Sequence, residues 1–130
     1  MKKNRYISLV FYLSACYDGL LGLAFLFFAE GLYLFFDVTP PNHYGYVQFP
    51  ALILIVFAVM FFQIGRDPRT NFNLIPYGIL LKVSYCAVVF WYWISSPLPS
   101  MWKPFAVLDV VFGILFLWSY ASIRKEIRGQ

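Results

Sequence analysis

Charged side chains are scarce in this sequence. They make up 12% of the 130 residues, whereas roughly a quarter of an average soluble protein is charged. So few charges cannot give a short chain a polar surface around its core, which excludes an ordinary soluble domain, a disordered segment and a nucleic-acid-binding module. Two cysteines are too few for a disulfide-rich scaffold. The single histidine, His43, argues against a histidine-based metal or catalytic site.

Apolar residues are abundant instead, at 62% of the chain. About 20 largely apolar residues suffice for a helix to cross a bilayer, and four stretches have that character: residues 7–29, 47–64, 74–95 and 104–123. The connections between them are short, so that sequential helices should pack as antiparallel neighbours. We predict an all-α fold, an integral membrane four-helix bundle with antiparallel up-down topology, in which residues 1–130 form a single domain.

The segment between Glu30 and Asp37 continues the apolar character past the first span. Two structures fit it, a long tilted first helix or a short amphipathic turn lying in the membrane interface. The interfacial interpretation is favoured because charged residues bracket the segment.

Lysine and arginine are distributed asymmetrically. Eight of the ten lie in the two termini and the loop at residues 66–69; Lys82 lies within a predicted span, and Lys103 lies on the opposite side. Cations concentrate on the cytoplasmic side of membrane proteins. The sequence therefore predicts a multi-pass protein of the cell membrane with cytoplasmic N- and C-termini. Its positive charge should contact anionic lipid, and no nucleic acid is expected as a partner.

The beginning of the chain resembles a bacterial lipoprotein signal, with basic residues followed by an apolar run that ends at Cys16. A lipoprotein would continue with a polar tether after that cysteine, whereas this chain stays apolar through Phe28. We therefore expect an uncleaved first helix.

Three ionisable residues lie inside predicted spans, where charge is rare and costly. Asp18 and Lys82 differ in depth by only a few ångströms, and Asp109 lies roughly 10 Å farther toward the outer side. Each lies on a stripe of small or polar residues at helical spacing, which should face the bundle interior; the stripes contain Ser14, Gly22, Gly78, Cys86, Ala106 and Gly113. We predict contact between Asp18 and Lys82, with Asp109 competing for the lysine.

Two interpretations of this polar cluster remain open. It is either a buried ion pair that fixes helix register, or a ligand or proton site in the bundle core, and the modest net stability of buried ion pairs favours the second slightly. Tyr17 and Tyr85 lie at the same depth and could complete the hydrogen bonds of either arrangement. Because two acids face one base, one carboxyl should carry a proton. We expect it to be Asp109, the acid farther from the amine.

Bulky aromatic residues beside small residues indicate uneven packing at this depth. We expect a hydrophobic pocket between the first, third and fourth spans, with candidate lining residues Tyr17, Tyr85, Phe112, Phe116 and Cys86. A filled aromatic core is the alternative. The two cysteines most simply act as small apolar fillers.

Four short features give the chain a family resemblance: the segment Tyr17–Gly22, the pair Pro40-Pro41, Lys82 and the pair Leu108-Asp109. Together they resemble the small bacterial four-helix membrane proteins described as DoxX-like, many of which have no assigned activity. The resemblance implies the same four-helix membrane fold, and some members of that group are linked to quinone-coupled thiol or sulfur oxidation. Because this chain has no paired-cysteine motif, no catalytic residues are carried over.

Three classes of function follow. The favoured one is a bundle that binds a lipophilic small molecule, a lipid or a quinone, or that assists a membrane complex. The first alternative is a proton-coupled carrier or channel, as a homo-oligomer, that uses Asp18, Lys82 and Asp109. The second is a quinone-linked membrane oxidoreductase, which ranks last because no redox pair, metal site or acid–base set is recognisable.

Overall fold

The chain is helical almost throughout. A computed structural model describes residues 2–129, and within that range it contains no β-strand and five α-helices: α1 (Lys2–Phe27), α2 (Ala29–Phe35), α3 (Gly45–Arg66), α4 (Ile75–Ser95) and α5 (Lys103–Arg128). A 3-10 turn at Phe72–Leu74 leads into α4. The predicted all-α class is confirmed. Met1 and Gln130, the ends of the predicted domain, lie outside the described residues.

Helices α1, α3, α4 and α5 are long and apolar enough to cross a membrane. Their outward faces carry large apolar side chains that would be unfavourable in water, such as Leu20, Phe49 and Ile114, each more than 60% exposed. A bilayer provides the apolar surroundings that these faces need. The protein is a multi-pass membrane protein.

Proline marks the start of two of these helices. Pro76 and Pro104 lie in the first turn of α4 and α5, where a missing N–H costs little. Pro50 differs from them, because α3 begins at Gly45 and Pro50 lies in its second turn. The Tyr46 carbonyl therefore has no N–H four residues later to accept from.

The first predicted span ends earlier than expected. The backbone leaves helical geometry at Phe28, with φ −125° and ψ 25°, and the separate helix α2 follows. A single long first helix is therefore wrong. Ala29 and Tyr33 of α2 are buried, whereas Glu30 and Phe35 are exposed, so that this short helix is amphipathic.

The spans associate as two helix pairs, α1 with α3 and α4 with α5. Two groups of buried side chains lie between them. The first core cluster consists of Ile7, Phe11, Phe61, Ile64, Ile75, Phe116 and Ile123. The second core cluster is smaller and consists of Phe25, Tyr33, Ala51 and Met101. The first cluster holds the bulk of the fully buried apolar side chains.

Helices α1 and α3 approach each other closely at Gly22. A Cβ atom at this position would lie 2.8 Å from the carbonyl oxygen of Ala51 and 2.9 Å from Cγ1 of Ile55. Because one of these neighbours is backbone, the helices would have to move apart to make room. Small residues at such positions allow membrane helices to pack by van der Waals contact.

Gly22→Ala should therefore lower the free energy of unfolding by about 1–3 kcal/mol, the usual cost of overpacking. Gly31→Ala is the matched control, because a Cβ at Gly31 meets nothing within 4 Å and alanine favours a helix. Titration with SDS in mixed micelles, followed by circular dichroism, measures both variants. Equal stability of the two would contradict the close approach.

Candidate functional site

The three intramembrane ions meet in one cluster. The ammonium Nζ of Lys82 donates hydrogen bonds to Oδ1 and Oδ2 of Asp18, at 3.0 and 2.9 Å, and to Oδ1 of Asp109, at 3.1 Å. Helices α1, α4 and α5 each supply one member. Three contacts match the three N–H donors of a lysine ammonium. Asp109 was expected farther toward the outer side than Lys82. The four-carbon stem of the lysine is long enough to bring its amine to this carboxyl group as well.

Aromatic rings enclose the ammonium on its other sides. Nζ lies 5.4 Å from the ring centroids of Tyr17 and Phe112, and 5.7 Å from that of Phe61. A cation near aromatic faces is attracted by their quadrupoles, most strongly where water is excluded. Lys82 is 1% exposed, so that water is excluded from its surroundings. The contribution of Phe61 from α3 was not foreseen from the sequence, because nothing in its local pattern marks it.

The small-residue stripes face inward and give the cluster room. Ser14, Gly22, Gly78 and Ala106 are buried, as are the three ions themselves. A Cβ at Gly113 would lie 3.7 Å from Cβ of Lys82. Close approach of α4 and α5 at this level brings the lysine stem within reach of Asp109 on α5.

The other polar candidates do not bond to the ions. The Tyr85 hydroxyl donates to the carbonyl oxygen of Trp102 at 3.1 Å, and the Cys86 thiol donates to that of Ala106 at 3.5 Å. The two contacts join α4 to the start of α5 and to the residue before it. Cys16 is exposed on the outside of α1. The Tyr17 hydroxyl is buried and has no hydrogen-bond partner among residues 2–129.

A cavity of about 480 Å³ lies next to the ion cluster, on the side of the second core cluster. Asp18 and Asp109 belong to its lining, while aromatic and apolar side chains from all five helices form the rest; the main ones are Tyr17, Phe25, Tyr33, Ala51, Tyr85 and Trp102. The volume is typical of a small-molecule site, as is a largely apolar wall with a few polar groups.

The cavity differs in position from the pocket expected from the sequence. Tyr17 and Tyr85 line it, but Phe112, Phe116 and Cys86 do not. Phe116 stacks on Phe11 at 4.6 Å between ring centroids, within the first core cluster, and Phe112 stacks on Tyr17 at 5.5 Å. These rings fill the space around them, so the hollow lies beyond the ions instead. Its α3 wall was missed because α3 carries no ionisable residue within the membrane.

Polar contacts outside the spans are local. The N–H and hydroxyl of Thr70 both donate to the carboxylate of Asp67, and these bonds hold the pKa of Asp67 below its usual range. The exposed His43 accepts a hydrogen bond from the Gly45 N–H through Nδ1. Over residues 2–129, no group of three histidine, cysteine or acidic side chains could hold a metal ion. These contacts stabilise loops.

Comparison with known proteins leaves the site to be interpreted from its geometry. The chain matches no protein-family model, no curated protein and no solved structure. The resemblance to DoxX-like proteins therefore stays a prediction.

Lys82→Met should lower the free energy of unfolding by about 3–5 kcal/mol, because it leaves buried carboxyl groups without their counter-ion. Adding Asp18→Asn to this variant should restore much of the loss, since the amide removes one of the uncompensated acids. Unfolding in SDS mixed micelles, followed by circular dichroism, measures the single and double variants.

Lys3→Met is the control for loss of a lysine, because Lys3 is exposed at the start of α1. It should change the free energy of unfolding by less than about 0.5 kcal/mol. A Lys82→Met protein as stable as the parent would show that the ion cluster does not hold the helices together.

Proposed function

We propose that the protein binds a lipophilic small molecule in the cavity between its helices. The observation that carries this proposal is a 480 Å³ space with apolar and aromatic walls and two carboxyl groups at one end. Small-molecule sites combine an apolar wall with a few polar groups that orient the ligand. A lipid tail or a quinone would fit the apolar part equally well by chemistry.

The filled part of the bundle favours binding over conduction. The first core cluster lies on the opposite side of the ions from the cavity. Its members Phe11, Phe61 and Phe116 are fully buried and in ring contact. A carrier or channel in one chain would need a polar path through this region. Dense aromatic packing supports the interpretation of the cavity as a site with one open side.

The opening favours a ligand that arrives from the bilayer. Tyr46, Phe49 and Pro50 line the cavity and are themselves exposed, so that they form its rim. They belong to α3, which packs along α1 and makes few contacts with α4. Apolar molecules concentrate in the hydrocarbon by partition, and a lateral opening would admit them without passage through water.

The proposal includes an orientation. We infer a single four-span domain, with antiparallel up-down helices and both termini on the cytoplasmic side, where the loop at residues 66–69 also lies. The excess of cations at these three places supports it. A salt bridge of 3.5 Å between Arg69 and Glu126 keeps that loop beside the end of α5. The cavity would then face the outer half of the membrane.

Filling the cavity should weaken binding. Leu81 lines the cavity, whereas the adjacent Leu80 is exposed and does not. In phosphatidylcholine nanodiscs, we expect the neutral probe phenylbutanol to bind the parent protein saturably. Leu81→Trp should weaken this binding at least about tenfold, because the indole occupies the ligand's space.

Leu80→Trp is the matched control and should bind phenylbutanol like the parent. Isothermal titration calorimetry, with empty nanodiscs subtracted, measures all three proteins. Absence of saturable binding to the parent, or equal binding by the two tryptophan variants, would overturn the proposed site.

Cysteine labelling tests the orientation. In a chain with Cys16 and Cys86 replaced by serine, a membrane-impermeant maleimide should label Asn42→Cys in intact cells. Arg128→Cys should react only after the cells are opened, because the C-terminus faces the cytoplasm. Labelling of Arg128→Cys from outside intact cells would reverse the proposed orientation.

A further inference from the structure

The ion cluster presents its charges to the cavity unequally. Among the described residues, the cavity lining contains two acidic side chains, Asp18 and Asp109, and no lysine or arginine. The ammonium of Lys82 lies behind the carboxyl groups, covered by the rings of Tyr17, Phe61 and Phe112. The charged surface that a bound molecule would meet is therefore acidic.

The lysine is shared unevenly between the two acids. Both carboxylate oxygens of Asp18 accept from Nζ, whereas Asp109 accepts through Oδ1 alone. The side chain of Asp18 is 1% exposed and that of Asp109 is 11% exposed. Asp18 is thus the main counter-ion of the lysine. Asp109 keeps a carboxylate oxygen without a hydrogen bond from the described residues, on the residue that a ligand can reach.

We propose that the cavity recognises an ammonium group on an apolar body, with Asp109 as its counter-ion. The proposal rests on the proposed function, that the cavity binds lipophilic molecules, and names the chemical class. A second cation balances the cluster, which otherwise holds two acids and one base. The aromatic walls at Tyr17, Tyr85 and Trp102 suit an ammonium and its alkyl carbons, since a cation is stabilised by aromatic faces.

The charge balance also fits the protonation expected for the unliganded cluster. A carboxyl group in hydrocarbon surroundings that lacks a full counter-ion is neutralised by a proton. If Asp109 carries that proton, the arriving ammonium replaces the proton beside the carboxylate, and the proton passes to solvent. The acid changes its counter-ion, and no covalent bond of the ligand forms or breaks.

A matched pair of probes tests this inference. Phenylbutylamine is protonated at neutral pH, and phenylbutanol has the same carbon skeleton without the charge. In dodecyl maltoside micelles, which carry no ammonium group, and with empty micelles subtracted, we expect the amine to bind the parent protein at least about tenfold more tightly than the alcohol.

Asp109→Asn should remove most of this preference, because the amide keeps the shape of the carboxyl group and lacks its charge. Asp37→Asn is the matched control, since Asp37 is exposed beyond α2 and does not line the cavity. It should keep the full preference. A preference that survives Asp109→Asn would overturn the role of Asp109.

The parent protein alone already separates the two proposals, even where Asp109→Asn does not fold. Equal binding of amine and alcohol overturns ammonium recognition and leaves the lipophilic site in place. Absence of binding by both overturns the site itself. Repeating the amine titration with phosphatidylethanolamine added to the micelles distinguishes the two sources. Competition assigns the ammonium to a lipid headgroup, and an unchanged affinity assigns it to a free amine.

Discussion

The contact of one lysine with two aspartates constrains the rest of this bundle. A charged group alone in hydrocarbon is costly, and Asp18, Lys82 and Asp109 avoid this cost by contact with one another. Because they belong to three helices, the contact fixes the depth and rotation of α1, α4 and α5 together. Small residues on the same faces suit this contact. A larger side chain at Gly78 would collide with the ring of Phe61, and one at Gly113 would extend toward the stem of Lys82.

The cluster lies where a filled and a hollow part of the bundle meet. On one side, Phe61 and Phe116 pack in ring contact and leave no room. On the other side, the helices leave a space between them, and residues that include Ala51 and Trp102 line this cavity. The carboxyl groups face the hollow part and the ammonium is covered by rings, so that a structural ion cluster also gives the cavity an acidic end. One arrangement is thus compatible with both interpretations that the sequence left open, an ion cluster that fixes helix register and a ligand site.

Local sequence features anticipate most of the secondary structure. Length and apolar character identify the four long helices, because a span must satisfy its backbone hydrogen bonds internally. Pro76 and Pro104 mark helix starts for the same local reason. The position of Pro50 inside α3 and the break at Phe28 are not visible in composition. Both depend on where a helix begins or ends, and that is decided by packing with its neighbours.

The sequence by itself determined that this is an all-α membrane protein and that Asp18 and Lys82 should meet, because hydropathy, helical rise and the cost of isolated charge act locally or along one axis. Only the tertiary structure decided where the free space lies. Phe112 and Phe116 pack against rings of other helices, and the cavity opens beside α3 instead. Side-chain volume is divided between core and cavity by the rotation and separation of whole helices, and no single helix carries that information.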